Sequence, residues 1–205
     1  MILKADRIAA RLGSDKADRL DITPAPDLDA LKKTGSGSVD LRLGTWFTTL
    51  RAARKPCLDA ADDDSEAALT KMHYVPFGDR YYLHPRNFVL GVTLEWIRLP
   101  ADLAGYVVGK SSWGRRGLII ATATGVHPGF AGCLTLELSN VGEIPVALSP
   151  GLAICQLFLH GVDGDSDDVD RSLFVGQRRP SLGKITVDDF ARRLATSRAT
   201  SSSKP

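Results

Sequence analysis

Apolar and polar residues begin to alternate regularly at Ser38, and comparable runs then recur at short intervals as far as residue 160. In 38–43, valine and leucine alternate with aspartate and arginine, and this period of two is typical of a half-buried strand. Further strand-like runs cover 46–50, 81–83, 88–96, 105–108, 118–121, 134–138, 146–148 and 153–160. Pro and Gly turn signals separate many of these runs. Many short strands at such spacing predict a mainly β fold, a sandwich or a jelly roll.

Helical patterns are confined to the periphery of this predicted β region. The N-terminal segment predicts a short amphipathic helix with one apolar side, formed by Ile2, Leu3, Ile8, Ala9 and Leu12. A second short helix is predicted over 28–33, after a proline-rich turn at 21–26. The polar stretch 51–72 predicts an exposed loop or hairpin tip. We expect a single domain over 1–187, followed by a last helix and a disordered, low-complexity tail within 188–205.

Composition narrows the class of protein. The 205 residues are 43% hydrophobic and 24% charged, with a net charge of +2, which argues against nucleic-acid binding through bulk electrostatics. No apolar run approaches the roughly 20 residues that span a bilayer, so no membrane association is expected. The three cysteines are widely spaced and form no CxxC motif. Their pattern predicts reduced thiols, no structural zinc and a cytoplasmic protein.

The segment 109–116 concentrates residue types that bind phosphate. Lys110, Ser111, Ser112, Arg115 and Arg116 supply cationic and hydroxyl donors within seven positions. A P-loop is disfavoured because the spacing is one residue short of GxxxxGK[ST] and no αβ context surrounds it. A solvated basic turn and a phosphate-binding turn remain the two interpretations.

An acidic residue and a histidine stand out downstream. Glu137 lies within the apolar run 134–138, where it either faces solvent together with Thr135 and Ser139 or lines the wall of a pocket. His127 precedes Pro128-Gly129 and is either an ordinary turn histidine or part of a site.

Four ordered motifs carry a family resemblance. They are Ser38-Val-Asp-Leu-Arg-Leu-Gly44, Gly109-Lys-Ser-Ser-Trp-Gly-Arg115, Pro128-Gly-Phe-Ala-Gly132 and Pro150-Gly-Leu-Ala-Ile-Cys-Gln156. Through them, and up to about residue 185, the chain resembles the dCTP deaminase branch of the dUTPase superfamily. The resemblance implies a distorted β jelly roll of the dUTPase type with short peripheral helices. It also implies a homotrimer with active sites between subunits.

The chemistry implied by this resemblance is hydrolytic deamination of dCTP, or a related pyrimidine deoxynucleotide, to dUTP and ammonia. Glu137 matches the family's general base and acid, Ser111 its catalytic serine, and Arg115 the residue that stabilises charge. No metal activates the water in this family, and Mg²⁺ only accompanies the triphosphate. The HxE and PCxxC elements of zinc deaminases do not occur in the chain.

The resemblance also implies a set of residues that contact the nucleotide. Lys110 and Ser112 would bind the triphosphate, whereas groups around Ala123, Thr135 and Leu136 would read the edge of the base. Ligand contacts are further implied for Gln156 and Gln177.

The chain departs from the family pattern at several positions. His127 stands where the family has the aspartate that receives the deoxyribose 3′-hydroxyl, and Lys110 replaces an arginine and so lacks its bidentate fork. The closing element near 174–180 is also altered. These departures favour an altered pyrimidine nucleotide as substrate, or a trimeric nucleotide-binding protein without turnover. A bifunctional enzyme that releases dUMP and pyrophosphate, as bifunctional relatives in the family do, is a further enzymatic alternative.

Overall fold

Short strands dominate the part of the chain that the structure, a computed structural model, describes: residues 1–15, 19–51, 57–58, 66–121, 125–164, 175–183, 190 and 193–194. The helices are α1 (Ala5–Leu12), α2 (Leu28–Thr34), α3 (Glu66–Leu69) and α4 (Ser111–Gly114). The strands are β1 (Asp21–Thr23), β2 (Ser38–Arg42), β3 (Trp46–Leu50), β4 (Thr70–Tyr74), β5 (Tyr81–Leu83), β6 (Phe88–Arg98), β7 (Leu103–Gly109), β8 (Leu118–Ile120), β9 (Gly125–Val126), β10 (Ala131–Asn140), β11 (Val146–Leu148) and β12 (Ala153–Gly161). The mainly β prediction is confirmed.

Three antiparallel sheets organise the strands. The largest runs in the order β4-β3-β6-β10-β8, with β1 also paired to β6. A four-stranded sheet has the order β2-β12-β7-β9, and β11 pairs with β5. β10, which carries Thr135 and Glu137, lies in the first sheet, and β12, which carries Gln156, lies in the second. The basic turn after β7 connects these sheets, because it leads into β8, which pairs with β10.

The apolar core follows the strand period of two. Along β10 the even-numbered residues are buried and the odd-numbered ones are half-buried. Leu136 and Leu138 are fully buried, whereas Glu137 points to the other face. The alternation in the sequence therefore fixes which side of this strand the carboxylate occupies.

Two peripheral segments differ from the sequence predictions. Residues 21–23 form β1 rather than a turn, because they pair with 96–98 at the end of β6. Residues 66–74, largely assigned to a loop, form α3 and β4, and β4 pairs along its whole length with β3. Both strands are stabilised by partners distant in sequence. The last predicted helix and the tail fall almost entirely outside the described residues.

The two helices near the N-terminus match the predictions closely. Ile8 and Ala9 of α1 are buried, although Ile2 precedes the helix and instead bridges to His160 of β12. Asp27 caps α2 by accepting hydrogen bonds from the N–H groups of Asp29 and Ala30. Both helices thus lie against the β core as peripheral elements.

A buried carboxylate connects the two larger sheets. Glu95 of β6 is 1% exposed and accepts hydrogen bonds from the main-chain N–H of Arg42 at 2.8 Å and from its Nε at 2.7 Å. Arg42 ends β2, so this ion pair joins the four-stranded sheet to the largest sheet. Because a buried charge is costly unless it is paired, the contact fixes how these two strands meet.

The three cysteines are free thiols, as the spacing predicted. Cys57 is exposed, Cys133 is half-buried and Cys155 is buried. Burial raises the pKa of the Cys155 thiol to about 12 and raises that of Cys133 as well. None of the described helices has the length and apolar character needed to cross a membrane.

Candidate functional site

The basic motif begins where β7 ends. Lys110 is the N-cap of α4, and its carbonyl accepts hydrogen bonds from Trp113 N at 3.0 Å and Gly114 N at 3.2 Å. The indole of Trp113 donates to the carbonyl of Ala153 at 3.1 Å, which ties the motif to the start of β12. Since α4 has only four residues, the geometry is that of a tight turn and not of a P-loop with its following helix.

The polar side chains of this turn are open to solvent. Ser111, Ser112 and Arg115 are exposed, and within the described part of the chain their side chains make no hydrogen bond or ion pair. Arg116 instead folds back and donates to the carbonyl of Ser112 at 2.7 Å. Two hydroxyls and one guanidinium are therefore available to an anionic ligand.

Lys110 and Gln156 converge on a residue that the sequence analysis did not assign to the site. Asp40 of β2 accepts a hydrogen bond from Lys110 Nζ at 2.5 Å and another from Gln156 Nε2 at 3.0 Å. Gln156 is the strand partner of Asp40, which places the two side chains side by side. In the sequence, Asp40 could have been noticed as a polar residue between the apolar residues of the 38–44 motif.

Glu137 lies on the half-buried face of β10. Its strand partner on β6 is Leu90, which is 5% exposed, and Thr135 shares the same face two residues away. Its carboxylate makes no hydrogen bond or ion pair with any residue that the structure describes. The strand thus presents an acid beside apolar neighbours, where it can accept a proton or bind a polar ligand.

Leu136 and Ala123 are the other positions expected to contact the edge of the base. The side chain of Leu136 is in the core, so only its main chain can contact a ligand. Ala123 falls in the gap between residues 121 and 125 that the structure does not describe.

His127 occupies an exposed turn ahead of β10. The N–H of Phe130 donates to the His127 carbonyl at 3.2 Å, and Gly129 has a φ of 73°, a left-handed conformation that favours glycine. The imidazole itself has no hydrogen-bond partner in the described regions. The turn is therefore built by the Pro-Gly sequence, and the ring is free to interact with a ligand.

A C-terminal strap, defined as residues 175–183, lies against the start of β10. Gly176 N donates to Ala131 O at 2.7 Å, and the carbonyl of Gln177 accepts from Cys133 N at 2.8 Å. The guanidinium of Arg178 lies 4.8 Å from the ring centre of Trp96, and that of Arg179 lies 4.3 Å from that of Trp46. These cation–π contacts hold Gln177 beside the strand that carries Glu137.

The predicted residues thus form two groups within one chain. Lys110 and Gln156 meet through Asp40, while Thr135, Glu137 and Gln177 are all associated with β10. No hydrogen bond or ion pair links Glu137 to Ser111 or Arg115 in the described segments.

The cleft that the structure shows among the described residues lies away from the predicted site. A cleft of about 490 Å³ is lined by residues between 74 and 82 and contains none of the predicted site residues. This cleft is broadly open to solvent. Among the described residues, no cluster of three or more His, Cys, Asp or Glu side chains is arranged to hold a metal ion.

Comparison with known proteins gives consistent results. A family model described as dCTP deaminase-like matches residues 2–162. The protein named "dCTP deaminase, dUMP-forming" of Halobacterium salinarum is 38% identical over 193 residues, covering 92% of this chain and 96% of the relative. The one of the same name from Methanobrevibacter smithii is 36% identical over 157 residues, with coverages of 74% and 81%. A dCTP deaminase of Halorubrum lacusprofundi is 42% identical over 148 residues, with coverages of 70% and 73%.

The fold has a solved counterpart. The crystal structure of 2′-deoxycytidine 5′-triphosphate deaminase from Agrobacterium tumefaciens superposes with a TM-score of 0.57 and 24% identity. The match covers 77% of this chain and 46% of that one, and it shows the likeness of fold. The resemblance inferred from the motifs is confirmed by the family model and by the relatives: the chain belongs to the dCTP deaminase-like family.

Proposed function

We propose that this protein deaminates dCTP, or a related pyrimidine deoxynucleotide, by hydrolysis to dUTP and ammonia. The observation that carries the proposal is Glu137, a half-buried carboxylate without a partner among the described residues, on a strand that the family model covers. Relatives named dCTP deaminase at 36–42% identity support the substrate class.

Glu137 acts first as a base and then as an acid. Its carboxylate takes a proton from water as the oxygen bonds to C4 of cytosine, and it delivers that proton to the ring N3 as the C4=N3 double bond opens. The carboxylate then takes the proton of the new C4 hydroxyl and passes it to the exocyclic amine. The C4–N bond breaks, the C4 carbonyl forms and ammonia leaves. Leu90 of β6 lies opposite Glu137 in the β6–β10 strand pair.

The phosphates bind at the basic turn. Lys110 and Arg115 supply positive charge, and the hydroxyl of Ser112 donates to phosphate oxygens. Ser111 orients the water or the edge of the base. A bound Mg²⁺ would neutralise part of the charge of the triphosphate, and Lys110, Ser112 and Arg115 would bind its phosphate oxygens.

The complete site forms between subunits of a homotrimer. In one chain no hydrogen bond or ion pair among the described residues links Glu137 to Ser111 or Arg115. A neighbouring copy supplies the second group. Gln177 is held at β10, the strand that carries Glu137, because its carbonyl accepts a hydrogen bond from Cys133 N.

A second candidate is a bifunctional reaction that continues from dUTP to dUMP and pyrophosphate. The names of several relatives, which describe them as dUMP-forming, favour it. His127 argues against it, because the family's aspartate at this position is the residue expected to support diphosphate cleavage. The two candidates share the deamination step and differ in the product released.

Product analysis distinguishes these reactions. Purified protein is incubated with Mg²⁺ and either dCTP or dUTP, and ammonia, uracil nucleotides and pyrophosphate are quantified over time. We expect dCTP to give equal amounts of ammonia and dUTP, and we expect no reaction when dUTP is the substrate. Release of dUMP and pyrophosphate from both nucleotides would support the bifunctional enzyme. Tight binding of nucleotide with no product would contradict both and identify a binding protein.

A further inference from the structure

Both oxygens of the Asp40 carboxylate accept hydrogen bonds, one from Lys110 of the proposed phosphate site and one from Gln156. Its Oδ2 accepts a hydrogen bond from Lys110 Nζ and its Oδ1 accepts one from the amide of Gln156. The three residues come from β2, β12 and the end of β7, so strand pairing brings together positions 70 and 116 residues apart in sequence. Because each oxygen has its own donor, the carboxylate has one defined orientation.

Lys110 needs such a partner in order to point at a ligand. Its main chain is rigid, since its N–H donates to Ile154 O at 3.1 Å and its carbonyl accepts from two N–H groups of α4. Its side chain has four rotatable bonds and ends in a point charge without the planar fork of arginine. Asp40 engages one of the three ammonium N–H donors, which leaves two for phosphate oxygens. The contact therefore reduces the conformational freedom that Lys110 loses when a phosphate binds.

We infer that Asp40 is a positioning residue, which holds the ammonium of Lys110 where it meets the phosphates of the nucleotide. The inference rests on the proposed function. A competing role is that Asp40 neutralises Lys110 and repels the phosphates. The exposure of Asp40, at 48% of its side chain, favours positioning, because water screens repulsion at an exposed site while the hydrogen bond still orients Lys110.

The test compares nucleotides with and without the distal phosphates. Affinities for Mg²⁺-dCTP and for dCMP are measured by calorimetry in a Glu137→Gln background, so that the nucleotide is not consumed. Asp40→Asn should weaken dCTP binding roughly fivefold and leave dCMP binding unchanged. The matched control is Asp102→Asn, which makes the same chemical change at an exposed carboxylate paired with Arg11. This control should bind both nucleotides as the background protein does.

A double-mutant cycle tests whether Asp40 acts through Lys110. In a Lys110→Met background, Asp40→Asn should cause no further loss of dCTP affinity. Three results would each overturn the inference and leave the proposed function intact. They are tighter dCTP binding by Asp40→Asn, an unchanged affinity for dCTP, or an equal loss of dCTP affinity in the Lys110→Met background. Absence of dCTP binding by the Glu137→Gln protein and by the unmodified protein would instead overturn the proposed function and this inference together.

Discussion

Removal of the guanidinium of Arg42 should destabilise the protein markedly. Glu95 is 1% exposed, and of its two hydrogen bonds from Arg42, the one from Nε would be lost in Arg42→Met. Breaking a buried ion pair by removing one partner costs about 3–5 kcal/mol. The Arg42 side chain is 39% exposed and its main-chain bond to Glu95 remains, so we expect a smaller loss of about 2 kcal/mol.

Thermal unfolding measures this loss directly. For a chain of this length, about 2 kcal/mol corresponds to a decrease in Tm of about 4–8 °C, at a fixed protein concentration because assembly affects Tm. Arg11→Met removes an exposed ion pair with Asp102 and serves as the control, with an expected loss below about 1 kcal/mol. In a Glu95→Leu background the effect of Arg42→Met should largely disappear. An equal loss in that background, or none in the native protein, would refute the role assigned to the pair.

Two further predictions concern the thiols and the turn after α4. Because the thiolate is the reactive form and burial raises the pKa of the Cys155 thiol to about 12, a thiol reagent at neutral pH should modify exposed Cys57 first. Cys155 should react only after unfolding. If mass spectrometry shows early modification of Cys155 by the reagent, that result would contradict its burial. Gly117→Ala should lower Tm, because Gly117 has a φ of 85° and a Cβ there would lie 2.7 Å from Gly142 N. An unchanged Tm would show that the turn tolerates a side chain.

The strands that the sequence predicted well are those whose pattern is local. The run 134–138 alternates strictly, and β10 buries its even residues as that period requires. β1 and β4 were missed because they are short and polar, and each is stabilised by an antiparallel partner elsewhere in the chain. Such pairing depends on the whole sheet, so the sequence of a single segment indicates these strands only weakly.

The residues of the candidate site also differ in how well the sequence predicts them. Residue types and spacing singled out the basic turn 110–116 and Glu137, and in the structure Ser111, Ser112 and Arg115 are exposed while Glu137 is half-buried. The contact of Asp40 with Lys110 and Gln156 depends on the register of three strands, which a sequence does not reveal. The placement of the strap is equally non-local, since its arginines lie on tryptophans more than 80 residues earlier.

Deamination by Glu137 is tested most directly by ammonia release from Mg²⁺-dCTP, measured for the unmodified protein, Glu137→Gln and Glu143→Gln. The first replacement keeps the shape of the side chain and removes the group that carries the proton. The second makes the same change at an exposed position in the 141–145 turn. We expect Glu137→Gln to lower kcat by at least about 100-fold with dCTP still bound, and Glu143→Gln to have no effect. Full activity in Glu137→Gln would contradict the assignment of this carboxylate as the proton shuttle.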